Sequence, residues 1–490
     1  MIPLAAASFA RAQPAAAAPA NPDIRVIRSR DGTTRYVRLR VDTRGSGISG
    51  SEVSLIDLRT GRSTDSVKAG PLSFGDGFDG SRAWSSDATG MASPEQNAQV
   101  VQDVRAWSHF LGRRGPEQPA IRRVESAGKL ILQLRYAGLP GRIDVAFDRR
   151  TGLVASIDDR TGPDVAHATF ADYRTVGGVI LPFASTSTTR YGVWQERVRA
   201  VEFPRTLAPE DFAPPPPPDD VRLDGDTTIP MTLVAGVPVV PIRIDDGPVL
   251  HVLFDSGASN DLKPRAAKRL GLRLVGDGKS GGMGAGLARQ RYTTVKSLRI
   301  GDAELTNQPF TVVDDDSFGP AVDGAIGCEV FQRFAVRFDF ARKRVDLTRD
   351  VRHFGITAPP ISIRLSGCTP EVDGALDGLR GPISIDTGSG APLDVMSPFV
   401  RAHDLVARYR VTTPALATGT GVGGVTRGYI AVARELRLGP VVINNVPIVL
   451  GAMSTGALAD TSELGNAGSF LLRKFTPVFD YRSSRMWLLR

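Results

Sequence analysis

Two tripeptides combine residue types that could do chemistry, Asp255-Ser256-Gly257 and Asp386-Thr387-Gly388. Each follows an apolar run, Val252-Leu253-Phe254 in the first case and Ile383-Ser384-Ile385 in the second. A strand ending in Asp would hold the carboxylate rigidly, and the Gly lets the chain turn where a side chain would clash. The hydroxyls of Ser256 and Thr387 can bond to the backbone of the other copy. If the two turns meet, Asp255 and Asp386 cannot both ionise cheaply and share one proton. The ionised member could then draw a proton from a bound water while the protonated one donates to a scissile carbonyl oxygen. That is peptide hydrolysis without a covalent intermediate, metal or cofactor. One such tripeptide alone would be an ordinary strand-terminal turn.

The two copies sit at matching places in a repeated segment. Leu298-Arg299-Ile300-Gly301 corresponds to Leu436-Arg437-Leu438-Gly439, Pro309 to Pro447, Gly327 to Gly468, Phe334–Phe340 to Phe475–Tyr481 and Leu347 to Leu488. The order is preserved and the offset never shrinks, which is the pattern of an internal duplication with small loop insertions. After the tripeptides, Ser389 in the second copy faces Ala258 in the first. The Ser389 hydroxyl is expected to bond a carboxylate oxygen and favour its charged form, whereas Ala258 offers no such donor. The pair is therefore expected to keep its shared proton towards neutral pH.

The surrounding organisation follows from punctuation and period. Residues 1–22 form an Ala/Pro-rich leader with a small-x-small site before Gln13, read as a signal peptide lacking its basic start. Residues 23–212 read as an N-terminal β-sheet domain. Its clearest hairpin runs from Ile143–Phe147 through Asp148–Gly152 to Leu153–Ile157. Helical patterning runs from Ser93, as cap, to Phe110. The five prolines Pro214–Pro218 donate no backbone N–H, and residues 213–222 are read as a stiff linker. Lobe 1 then spans 223–350 and lobe 2 spans 351–490.

Composition narrows the classes. The 52 Gly and 35 Pro favour turns and short strands, so a mainly β protein is expected. The net charge of +8 comes from 60 Lys+Arg spread among 52 Asp+Glu, with no basic run interleaved with aromatics, which argues against nucleic acid. No apolar run reaches the roughly 18 residues of a spanning helix. Cys328 and Cys368 have no ligand neighbours, and the five His are scattered, so no metal site is expected and a disulfide is left open.

From about Leu223 to Arg490 the chain resembles the retropepsin/pepsin-type aspartic proteases in a two-lobed form. The resemblance rests on Phe254–Ala258 and Ile385–Ser389, and on the second elements Ala325-Ile326-Gly327 and Asn466-Ala467-Gly468. It implies Asp255 and Asp386 as catalytic residues, with Ser256, Gly257, Ala258, Thr387, Gly388 and Ser389 supporting them and Gly327 and Gly468 packing behind. Gly281–Gly286 and Gly419–Gly424 fall where flap hairpins would lie, with a plain mobile loop as the equal alternative for each. Asn466 and Ala467 depart from the larger aliphatics usual in that element. Phe147-Asp148, Thr151-Gly152-Leu153, Tyr173, Gly177-Gly178 and Leu181-Pro182-Phe183 resemble periplasmic lipoprotein-carrier half-barrels. Together these imply an aspartic endopeptidase of the periplasm or a secreted one, monomeric, acting on peptide or protein substrates. A lipid or envelope partner would belong to the N-terminal domain. The rival expectation is an envelope peptide- or lipid-binding protein that keeps the fold without catalysis.

Overall fold

A computed structural model describes residues 23–30, 32–112, 118–126, 128–162 and 164–490, and the expected leader at 1–22 lies outside the described residues. The protein is mainly β. It divides into two compact units, Met1–Ser86 with Ala92–Pro216, and Asp87–Met91 with Pro217–Arg490. Among the described residues no helix is long and apolar enough to cross a membrane.

The first unit is built on one long antiparallel sheet. Its strands alternate in burial: in Tyr36–Gly45, the inward Val37, Leu39 and Val41 are buried, and they meet Ile56, Leu132 and Val145 in one core. The strand Tyr36–Gly45 pairs with Gly192–Glu202 on one side and Ile48–Asp57 on the other, which joins the two ends of the domain sequence within one sheet. The expected hairpin is present, with Ile143–Phe147 paired to Val154–Asp159. The Asp148 carboxylate accepts the N–H groups of Arg150 and Thr151 in its turn.

The helix of this unit starts later than the sequence pattern indicates. It spans Ala98–Leu111 and is capped by Asn97, whose side-chain oxygen accepts from the N–H groups of Gln99 and Val100 at 3.0 and 3.2 Å. Ser93, expected as the cap, lies instead in the strand Ala92–Glu95, paired with Ser85. That strand ends the sheet, where Pro94 is tolerated because an edge need not donate on both sides. Ala106 and Phe110 fasten the helix to the sheet core.

The second unit carries the repeated segments, and both fold alike. In lobe 1, Val249–Phe254 runs parallel to Gly324–Ile326, and Asp261–Leu262 packs antiparallel on the far side of that short strand. In lobe 2, Leu379–Asp386 runs parallel to Gly465–Gly468, with Leu393–Val395 antiparallel beyond it. The strand ends Val252-Leu253-Phe254 and Ile383-Ser384-Ile385 are buried on both faces before their aspartates.

The lobes are joined by more than the chain. Ala335–Asp339 of lobe 1 pairs with Thr476–Asp480 of lobe 2, so the two copies of the Phe-rich repeat are neighbours in one sheet. Phe254 meets Phe331 and Phe338 edge-on, Phe331 and Phe338 meet Phe479 edge-on, and Phe331 stacks on Tyr481, with ring centroids 5.2–6.0 Å apart, and a single apolar core runs through both lobes. Each lobe would expose this surface alone. Val221–Arg222, at the end of the expected linker, already pairs with Leu305 and Glu304 of lobe 1. Cys328 and Cys368 form a disulfide, which ties the helix Cys328–Phe331 of lobe 1 to the turn before Thr369–Leu376 of lobe 2.

Candidate active site

Where the strands Val249–Phe254 and Leu379–Asp386 end, their turns interlock. The Ser256 N–H donates to Thr387 Oγ1 at 2.9 Å, and the Thr387 N–H donates to Ser256 Oγ at 3.0 Å. Each hydroxyl also crosses to the opposite strand end: Ser256 Oγ donates to the Ile385 carbonyl at 2.7 Å and Thr387 Oγ1 to the Phe254 carbonyl at 2.6 Å. Both residues are buried, so these four bonds are shielded from water.

The interlock brings the two carboxyl groups together over the two glycines. A methyl group on Gly388 would lie 2.0 Å from Asp255 Oδ2, and one on Gly257 would lie 3.1 Å from Asp386 Cγ. The carboxyl groups themselves are within hydrogen-bonding reach of each other. Both aspartates are half-buried and Gly257 is exposed, so the pair has access to solvent on one side. Burial, and then the neighbouring Asp386 charge, push the Asp255 carboxyl well above the usual carboxylate range.

The donors around the pair are unequal. Asp255 Oδ1 accepts from the Gly257 N–H at 2.7 Å. Asp386 Oδ1 accepts from the N–H groups of Gly388 and Ser389 at 2.8 and 3.0 Å, and its Oδ2 accepts from Asn466 Nδ2 at 2.8 Å. The role expected of Ser389 is thus corrected: its backbone N–H reaches Asp386, while its hydroxyl bonds Asp394 on the adjacent strand. The hydroxyl is drawn off because Asp394 is a buried acid that needs a donor. Ala258 contributes only backbone, its carbonyl accepting the Cys328 N–H at 2.8 Å.

Gly327 and Gly468 lie against the backs of the two turns. A side chain at Gly327 would begin 1.9 Å from the Ala258 carbonyl oxygen, and one at Gly468 would begin 2.4 Å from the Ala391 oxygen. Cys328 N–H to Ala258 and Ser469 N–H to Ser389 repeat the same backbone bond in the two lobes.

The two Gly-rich stretches form hairpin tips that touch. The Gly284 N–H donates to the Val422 carbonyl at 3.0 Å, and the Gly286 N–H to Gly423 at 2.8 Å. A side chain on Gly284 would start 2.2 Å from the Gly423 carbonyl carbon, so glycine is what allows this approach. Met283 packs against Met396, Met453 and Leu458 of lobe 2.

Sequence reasoning did not single out several neighbours of the pair. Asn466 was visible only as a polar break in an apolar element. Asp261 and Asp394 occupy matching places on the strands beyond Gly324–Ile326 and Gly465–Gly468, and burial pushes both carboxyls up to about 7. Tyr481 donates its hydroxyl to the Ser256 carbonyl at 3.2 Å, a contact that only the joined sheet creates.

Among solved structures, a LolA superfamily protein from Nitrosomonas europaea is similar at 10% identity, covering 37% of this chain and 90% of that one, with a TM-score of 0.27. A DUF1329 family protein from Desulfovibrio piger is similar at 8% identity over 37% of this chain and 90% of that one, TM-score 0.29. A retropepsin-like aspartic protease from Rickettsia conorii is similar at 20% identity over 26% of this chain and 90% of that one, TM-score 0.18. No curated protein matches the chain. Residues 240–330, which hold Asp255, the strands beside it and Gly327, match the family model described as aspartyl protease.

Proposed function

We propose that this chain is an aspartic-type endopeptidase in which a water held between Asp255 and Asp386 attacks the peptide bond. The observation that carries the reading is the reciprocal Ser256–Thr387 interlock, which sets two carboxyl groups from matching turns against each other on a half-open floor. A fold with no catalytic duty has no use for two acids held at such a distance, because each raises the cost of ionising the other. Asp386, with three N–H donors, acts as the carboxylate that takes the water proton. Asp255, with one donor and a raised pKa, carries the acidic proton to the carbonyl oxygen of the scissile bond. The tetrahedral intermediate then collapses as the amine leaves with a proton returned from the pair. No side chain becomes acylated. The Cys328–Cys368 disulfide supports action in an oxidising space such as the periplasm or the exterior.

The test is incubation of the full chain with a mixed peptide library between pH 3 and 8, with hydroxylamine added in a parallel run. Internal peptide bonds should be cut, no acyl hydroxamate should form, and a peptide bearing a secondary alcohol in place of the scissile carbonyl should inhibit. An intact library at every pH would favour the binding-protein alternative, and hydroxamate products would point to a covalent mechanism.

A further inference from the structure

The two lobes differ in one line of side chains beside the pair. Reading across the sheet of lobe 2, Glu371 pairs with Ser384, Ser384 with Asn466, and Asn466 with Asp394. The same positions in lobe 1 are Val239, Leu253, Ala325 and Asp261. Val239, Leu253 and Ala325 form an ordinary apolar cluster there. Lobe 1 therefore shows that the fold is satisfied by aliphatic residues in the first three places. Lobe 2 buries Glu371, Ser384 and Asn466 instead, a choice that costs stability unless the groups bond to one another.

Ser384 and Asn466 do bond, in a chain that ends on Asp386. Asn466 Nδ2 donates to Asp386 Oδ2 at 2.8 Å, and Asn466 Oδ1 accepts from Ser384 Oγ at 3.1 Å. Ser384 Oγ also lies 2.6 Å from Glu463 Oε2. With Asn466 Oδ1 facing a hydroxyl, its amide group is oriented so that the N–H, not the oxygen, points at Asp386.

We propose that Asn466, oriented by Ser384 and Glu463, is a positioning residue that keeps Asp386 as the ionised member of the pair and so leaves the shared proton on Asp255. The inference rests on the peptidase reading and adds to it the means by which two alike turns are given unlike roles. Glu463, pushed up to about 8 chiefly by burial, is neutral through the acidic and neutral range. In that state its own O–H can donate to Ser384, which frees the Ser384 hydroxyl for Asn466. The other titratable groups that bear on the pair and the chain are Asp261, Asp394, Glu371, Asp460 and Tyr481. None of them is a cation, so Asn466 is the side-chain donor that favours charge on Asp386.

The experiment is a carboxyl carbon NMR titration of the pair in the full chain, read beside the pH profile of kcat/KM. Asn466→Ala, which installs the residue lobe 1 has at this place, should raise the lower macroscopic pKa of the pair, and the acidic limb of the profile, by about one unit. The alkaline limb should move much less, because Asp386 is charged on both sides of that step. Ser384→Ala, a smaller change, should shift the acidic limb in the same direction by less, and serves if Asn466→Ala does not fold. An unchanged lower pKa in both variants, or a uniform fall in kcat with no displacement of the limbs, would overturn the assignment. The titration needs no turnover: a shifted pKa in a protein that cuts no peptide would leave the positioning role standing and remove the peptidase reading.

Discussion

At the scale of single residues, the site depends on two hydroxyls as much as on two carboxyls. Thr387 Oγ1 accepts the Ser256 N–H and donates to the Phe254 carbonyl, both buried, so Thr387→Val leaves a backbone donor and an acceptor unpaired. That change should cost about 1–3 kcal/mol for each group orphaned, measured by urea unfolding, and Thr387→Ser should recover most of it. A Val variant as stable as the parent would show that the interlock contributes nothing. These roles were legible in the sequence because Asp, hydroxyl and Gly recur at matching points of a repeat. The role of Asn466 was not legible, since a polar residue in an apolar element looks like poor packing until its partner across the sheet is known. The partner of the Ser389 hydroxyl is hidden for a related reason: its pull towards Asp394 depends on a strand pairing that local sequence does not reveal.

At the scale of elements, alternation and punctuation carried most of the strands and the positions of the hairpin tips, whereas pairings between distant segments carried the rest. The start of the helix Ala98–Leu111 is not legible locally, because Ser93-Pro94-Glu95 suits a helix start as well as an edge strand, and only the sheet decides between them. The disulfide is likewise a long-range fact. It closes a loop of sequence separation 40 between the helix behind Asp255 and a turn of lobe 2. By loop-closure entropy, replacing both Cys328 and Cys368 by Ser should cost about 4 kcal/mol or less. Thermal unfolding of the paired variant, with and without reductant, measures this: the parent should lose stability on reduction and the variant should not respond. An identical response of the two proteins to reductant would mean the bridge does not brace the lobes.

At the scale of the whole molecule, several acids are buried or half-buried, and their protonation ties stability to pH. Burial pushes Asp65 up to about 6, Asp261 and Asp394 up to about 7 and Glu463 up to about 8, and raises Asp255 and Glu52 as well. A carboxyl with a raised folded-state pKa holds its proton longer when folded than when unfolded, so its contribution is full below about pH 4 and is lost as pH rises through 6 to 8. Asp57 acts in the opposite sense: although burial opposes it, hydrogen bonds from Arg35 and its neighbours hold it down to about 2, and that contribution is lost as pH falls from about 4 to 2. Tm should therefore be highest in mildly acidic solution and fall between pH 5 and 8. A Tm that climbs over that interval would mean these carboxyls are not protonated in the folded protein. The claim that Asp255 and Asp386 form one acid–base unit is tested most directly by single-turnover peptide cleavage with the parent, Asp255→Asn and Asp386→Asn across pH 3–8. Each variant, folded by circular dichroism, should lose at least about a thousandfold in rate, in line with the loss of an acid–base group. Cleavage by either variant within tenfold of the parent would contradict the account.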